Sequence, residues 1–267
     1  AKRTGQQIAE QIENVGGGID AYGGNNSFGI SAEVMSEDAA LGVELLADVI
    51  LNPSFPAEAL SRQREVQLAG IRAQDDKLLQ KTFSLMRENL FGAHGYGLNS
   101  LGTQESVEAL VADDLRAFHA QLAVPNNAVI AVFGDMDSAQ VRADLETAFG
   151  LWKRGGDYQV PKLLAGTQGK RRVADQKDKE QAVAVLGFHG CTFFDEDRYA
   201  LELLGEACSD LGSRLFMRIR EELGLAYYVG AQSQPGMTPG SFSFYAGTSP
   251  EQLAQVEEEL MAEAMKL

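Results

Sequence analysis

One supersecondary pattern occurs twice in this 267-residue chain, and it limits the possible folds more than any single motif does. Residues 7–38 read QIAEQIENVGGGIDAYGGNNSFGISAEVMSED, and residues 215–252 read LFMRIREELGLAYYVGAQSQPGMTPGSFSFYAGTSPEQ. Each runs from an amphipathic helix through a glycine stop to a strand, a turn, a second strand and a serine-led helix. SFGISAEV in the first copy corresponds to SFSFYAG in the second. Chance likeness between amphipathic units is the alternative. A repeat of this length otherwise implies two related domains in tandem, each mixing helices with strands. The expected class is therefore α+β, with a mainly antiparallel sheet backed by helices in each domain.

The rest of the chain fits that plan. Ile8, Ile12 and Val15 share one helix face, and residues 19–22 and 27–35 read as strands joined by GGNN. Ser36 is placed to cap a helix carrying Leu41, Leu45 and Val49 that ends at Asn52-Pro53. Helices are predicted over 56–74, 79–90, 105–111 and 112–122, around a glycine-rich loop FGAHGYGLNSLGT. Residues 127–133 read as a strand buried on both faces, because they are apolar and β-branched. A helix then runs to Phe149. The pattern fades over 153–172, KRGGDYQVPKLLAGTQGKRR, which reads as a linker. Beyond it come a strand at 181–188, a helix at 196–210, strands at 227–232 and 241–246, and a helix led by Ser249-Pro250.

The net charge of −15 argues against nucleic acid and anionic membrane surfaces as partners, since both would be repelled. No apolar run approaches the roughly 18 residues of a membrane span. Cys191 and Cys208 form neither a CxxC pair nor a disulfide framework. The opening residues start just short of a helix and the closing ones stop inside another, which suggests a fragment of a longer protein.

Most catalytic patterns are missing from the sequence. His94, His119 and His189 never stand four apart, so neither HExxH nor HxxEH occurs. His189 with Cys191 is too little for a zinc site. Cys208 lies in the apolar stretch LELLGEACSD and reads as buried filler. Gly16, Gly17 and Gly18 follow a helix instead of opening one, the wrong context for phosphate. Glu65, Asp75 and Asp76 are not spaced as an acid–base pair on one helix face.

The densest stretch is SRLFMRIREELGLAYYVGA, residues 213–231. Arg220 and Tyr227 flank the helix stop at Gly224. A guanidinium and a phenol near one point can hold a carbonyl oxygen and stabilise negative charge developing on it. The alternative is that Arg220 pairs with Glu221 or Glu206 while Tyr227 packs. Arg214 and Arg218 read as helix-surface residues.

SRLFMRIREELGLAYYV, residues 213–229, resembles the second domain of the insulinase, pitrilysin and mitochondrial-processing-peptidase family of metallopeptidases, family M16. Residues 179–190 and 195–216 resemble the strand and helix of that domain. Residues 3–24 resemble the segment that follows the family's zinc-binding helix, residues 47–76 its long helices, and residues 124–137 its last first-domain strand. The resemblance implies tandem domains of the LuxS-like metallohydrolase type. Residues 1–152 would be a first-type domain lacking its N-terminal strands and HxxEH helix, 153–172 a linker, and 173–267 a C-terminally truncated second-type domain. It implies peptide hydrolysis by zinc-activated water, with Arg220 and Tyr227 contacting the bound peptide. It does not imply zinc in this chain. No HxxEH occurs, and the segment that carries the family's distal zinc glutamate reads Leu68-Ala69-Gly70-Ile71-Arg72. The expected role is the substrate-binding, non-zinc half of an endopeptidase. Its partner would be the HxxEH-bearing half, in the same polypeptide or as a separate subunit, and zinc would sit on that half. An inert scaffold or assembly subunit is the alternative. An active zinc peptidase with unusual ligands is disfavoured by the missing glutamate.

Overall fold

A computed structural model describes residues 2–159 and 169–267. The first copy of the repeat begins at α1 (Gly5–Glu13), where the Thr4 hydroxyl accepts from the Gln7 N–H and the Gln7 side chain accepts from the Thr4 N–H. This reciprocal cap satisfies two donors that the first helical turn leaves free. Gly16 takes a left-handed backbone (φ +68°) and turns the chain into β1 (Gly18–Gly23). Strand β1 pairs antiparallel with β2 (Phe28–Glu33), and α2 (Ala39–Leu51) follows. Next come α3 (Ala57–Asp76), α4 (Leu78–Phe91), α5 (Gln104–Ala109), α6 (Ala112–Leu122) and α7 (Ser138–Phe149).

The second copy is preceded by β3 (Ala182–His189) and α8 (Arg198–Ser209). Its first helix stops at Gly224 (φ +63°) and leads into β4 (Tyr228–Gln234), β5 (Ser241–Thr248) and α9 (Leu253–Ala264). The three strands form one antiparallel sheet in the order β3-β5-β4. The class is α+β, as the sequence implies. Helix, left-handed glycine, antiparallel hairpin, short 3-10 turn and helix appear in the same order in both copies.

The chain divides into two compact units, Ala1–Val66 with Glu105–Pro161, and Gln67–Gln104 with Lys162–Leu267. The core of the second unit follows from strand alternation. Phe242, Phe244 and Ala246 of β5, Val229 and Ala231 of β4, and Ala184 of β3 share one face of the sheet. Ile219, Val256 and Leu260 close on that face with no exposed surface. The other face carries Gly187, Tyr245 and Tyr228, and α4 packs along β3 there.

Four expectations change. Residues 128–133 form no strand, and Val129 and Phe133 are 94% and 92% exposed. An extended apolar segment becomes a strand only when a neighbour supplies hydrogen bonds, and no strand lies beside this one among the described residues. Neither Ser36 nor Ser249 caps a helix backbone. Each stands at a 3-10 turn, Ser36–Asp38 or Pro250–Gln252, that precedes the α-helix. The helix expected before Gly224 is wound as a π-helix over Phe216–Glu222. Of the expected linker, residues 160–168 lie outside the described residues.

Candidate functional site

Around Gly224 the wide π-turn closes on itself. The Leu223 N–H donates to the Arg218 carbonyl at 3.2 Å, the Gly224 N–H to that of Arg220 at 3.1 Å, and the Leu225 N–H to that of Ile219 at 2.9 Å. These bonds satisfy carbonyls that a helix end would otherwise leave without donors. Glycine suits the position because a left-handed residue with a Cβ is strained. Single π-turns of this kind recur at functional sites.

The three arginines of the segment have separate fates. Arg214 donates to the buried Glu263 at 3.0 Å. Arg218 binds Glu259 at 3.2 Å and Glu222 at 3.1 Å, and these partners raise its pKa. Both serve the helix surface, as the sequence reading has it. Arg220 approaches Glu221 only to 3.9 Å, outside hydrogen-bond range, and its guanidinium lies 4.9 Å over the ring of Phe216. Its side chain is 43% exposed. Of the two carboxylates that the sequence offers it, Glu221 is the one it meets. Phe216, which the sequence reading passed over, supports the guanidinium by a cation–π contact at spacing i, i+4.

The two tyrosines also part. The Tyr227 N–H donates to the Gly247 carbonyl at 2.8 Å, which fixes its backbone at the mouth of β4, while its side chain is 54% exposed. Tyr228 turns to the opposite face and lies flat over Gly247, where a Cβ would come 2.3 Å from its ring carbons. Burial, then the neighbouring Tyr245, push the Tyr228 phenol up, so it stays protonated. The turn thus carries two exposed groups, a cation at Arg220 and a phenol at Tyr227, and no hydrogen bond joins them. Each of these groups is chemically able to donate a hydrogen bond.

The donors here do not suit a metal. Among the described residues no group of three His, Cys, Asp or Glu side chains could hold an ion. Leu68, Ala69, Gly70, Ile71 and Arg72 lie in α3 and offer no ligand, and a Cβ at Gly70 would meet open space. His189 and Cys191 share a cavity of about 570 Å³ with Asp195. The Asp195 carboxylate already accepts from the Thr192 N–H at 2.7 Å, which lowers its pKa. The His189 ring packs edge-on to Phe91, and Cys208 is buried in the core, where burial raises its thiol. His119 packs beside Phe55 and serves no cluster of donors. Among the described residues no helix is long and apolar enough to cross a membrane.

Known proteins share this architecture. A crystal structure of a peptidase M16 inactive domain from Pseudomonas fluorescens superposes with a TM-score of 0.87 at 24% identity, over 99% of this chain and 66% of that one. A protease from Helicobacter pylori gives 0.86 at 20% identity, over 97% of this chain and 65% of that one. An uncharacterized zinc protease of Mycobacterium leprae is 33% identical over 95% of this chain and 58% of its own length. One from Rickettsia bellii is 28% identical over 99% of this chain and 64% of its own length. The chain therefore spans less than two thirds of these curated relatives. The family model for the insulinase domain of peptidase family M16 matches residues 1–104. The model for the peptidase M16 inactive domain matches residues 109–267, more than half of the sequence. With both models in tandem and the fold they describe, the chain belongs to the M16 peptidase family.

Proposed function

We propose that this chain is the substrate-binding, non-zinc half of an M16 zinc endopeptidase. Arg220 and Tyr227 would contact a peptide whose scissile bond is placed at zinc on an HxxEH-bearing half. The observation that carries this reading is the contrast among the three arginines. Arg214 and Arg218 are hydrogen-bonded to carboxylates, whereas Arg220 comes no nearer than 3.9 Å to Glu221 and stands on Phe216 with its side chain 43% exposed, and Tyr227, across the Gly224 stop, is exposed too. A guanidinium so placed suits a carbonyl oxygen that gains negative charge. Pairing of the peptide with an edge strand is the expected binding mode. Strand β4, at one edge of its sheet, begins beside Tyr227.

The domain division belongs to the same proposal: a first-type domain over 1–152, a linker over 153–172 and a second-type domain over 173–267. The repeat supports it. In the second copy β3 pairs with β5 and α8 packs on β4. Their counterparts in the first copy would be a strand beside β2 and a helix on β1, the place of the HxxEH helix in a zinc-bearing half. The inert-scaffold alternative shares the lack of a zinc ligand at Leu68–Ala69–Gly70 and differs only in giving Arg220 and Tyr227 no contact with substrate.

The test mixes the chain with an HxxEH-bearing M16 half and measures zinc content and cleavage of a quenched peptide library. Cleavage that appears only on mixing is the expected result. A mixture in which the zinc-bearing half cleaves equally well without this chain supports the scaffold.

A further inference from the structure

Strand β4 lies at one edge of its sheet, with β5 on its inner side. In an antiparallel pair the N–H and C=O of one residue point to the same side, and successive residues alternate. Ala231 gives both of these groups to one side chain outside the sheet. The Ser209 hydroxyl accepts from the Ala231 N–H at 3.0 Å and donates to the Ala231 carbonyl at 2.7 Å. A hydroxyl can do both at once. It thus stands in for the C=O and N–H that a neighbouring strand would offer. By alternation Val229 and Ser233 also face outward, while Gly230 and Gln232 face β5.

Helix α8 supplies this contact, and its spacing explains it. Gly205 and Ser209 are four residues apart and share a face. Four helical residues rise about 6 Å, and two strand residues span about 7 Å. Successive contact positions on α8 therefore fall on successive outward residues of β4. Ser209 meets Ala231, and a Cβ at Gly205 would come 3.7 Å from the Ser233 nitrogen. The helix runs antiparallel to the strand and packs along it. It ends at Ser209, so this register stops short of Val229, the outward residue nearest Tyr227. An added strand needs a row of free N–H and C=O groups, and a helix laid over the edge removes that template.

We propose that Ser209 and Gly205 close β4 to strand addition beyond Val229. A peptide held at Arg220 and Tyr227 then pairs with one residue of β4 at most and leaves the sheet edge before Ala231. Ser209 thereby sets how long an extended segment this side of the site accepts. The consequence for a peptide rests on the proposed role of Arg220 and Tyr227, whereas the closure of the edge does not.

The experiment follows amide hydrogen exchange in the full chain, labelled with ¹⁵N and read by NMR. Ala231 should exchange slowly although it faces away from β5. In Ser209→Ala it should exchange about tenfold faster, the effect of one lost hydrogen bond, with Gly230 and Gln232 unchanged. Ser209→Thr, which keeps a hydroxyl, should restore slow exchange. Unchanged exchange at Ala231 in Ser209→Ala overturns the proposal. So does equal acceleration at Gly230 and Gln232, since the serine would then act on the whole sheet and not on its edge. The second arm needs no variant. The unaltered chain is mixed with excess N-acetylated, C-amidated octapeptide of alternating valine and threonine, a strand former. Exchange at Ala231 and Ser233 should stay the same, and slowing at either residue overturns the proposal. Should Arg220 prove to have no part in turnover, both arms would read as before, so the two claims fail separately.

Discussion

Arg214 donates from Nη2 to Oε2 of Glu263 at 3.0 Å, and so ties the start of the second repeat to the last turn of its final helix. Arg3 reaches the buried Asp48 of α2 at 3.4 Å in the first repeat. Each copy is thus closed by an arginine held on a buried carboxylate near its end. Burial alone would raise Glu263, but hydrogen bonds from Lys266 and Arg214 outweigh it and hold the carboxyl below the usual glutamate range. A carboxyl whose pKa is lowered by folding stabilises the native state above its unfolded value. That contribution is lost as pH falls through the lowered value. Glu263→Gln should therefore cost about 1–3 kcal/mol near neutral pH. Thermal unfolding should show the gap between variant and parent narrowing below about pH 4.

Asp48 should behave in the same sense. Burial raises it, but the Lys2 N–H at 2.8 Å and the side chains of Asn52 and Arg3 prevail and lower it. Asp48→Ala removes the carboxylate that accepts from the Lys2 N–H and from the Asn52 side chain. Unfolding monitored at Trp152, the single tryptophan and a residue of the first unit, should shift by about 2 kcal/mol. An unshifted midpoint would mean that the N-terminal segment contributes nothing to that unit.

Gly224 and Gly16 both adopt left-handed backbones, and a Cβ at either would meet nothing within 4 Å. The cost of alanine there is purely conformational. Gly224→Ala and Gly16→Ala should each lose about 1 kcal/mol in denaturant unfolding. Gly247→Ala differs, because the new Cβ must displace the ring of Tyr228. Its loss should be larger, about 1–3 kcal/mol from overpacking.

The extended segment 128–133 gives a test with the opposite sign. Val129 and Phe133 are almost fully exposed, so Val129→Lys and Phe133→Lys should change stability by no more than about 0.5 kcal/mol. Removing exposed apolar surface should also lower self-association, read by sedimentation velocity.

The helices, both hairpins and the repeat were legible because each is written in local terms: apolar spacing, glycine stops and strand alternation. Residues 127–133 misled because composition alone cannot say whether a neighbouring strand exists. The π-winding at Phe216–Glu222 leaves the apolar pattern intact, so periodicity did not reveal it. Around Gly224, the helix stop that separates Arg220 from Tyr227 was legible, and so was the surface role of Arg214 and Arg218. Their partners Glu263 and Glu259, some 40 residues or more further on, were not, because long-range pairing has no signature in spacing. Phe216 under Arg220 was within reach, since i, i+4 contact between an aromatic ring and an arginine is a local rule.

The central claim is that Arg220 acts on a substrate held by another half. The most direct measurement is turnover of a peptide by the complete two-half enzyme carrying Arg220→Ala, with bound zinc determined on the same sample. The expected result is a fall in kcat of about 100-fold or more, as when a donor to developing charge is removed, with zinc content unchanged. Turnover equal to that of the unaltered enzyme would contradict the account and leave this chain as a scaffold.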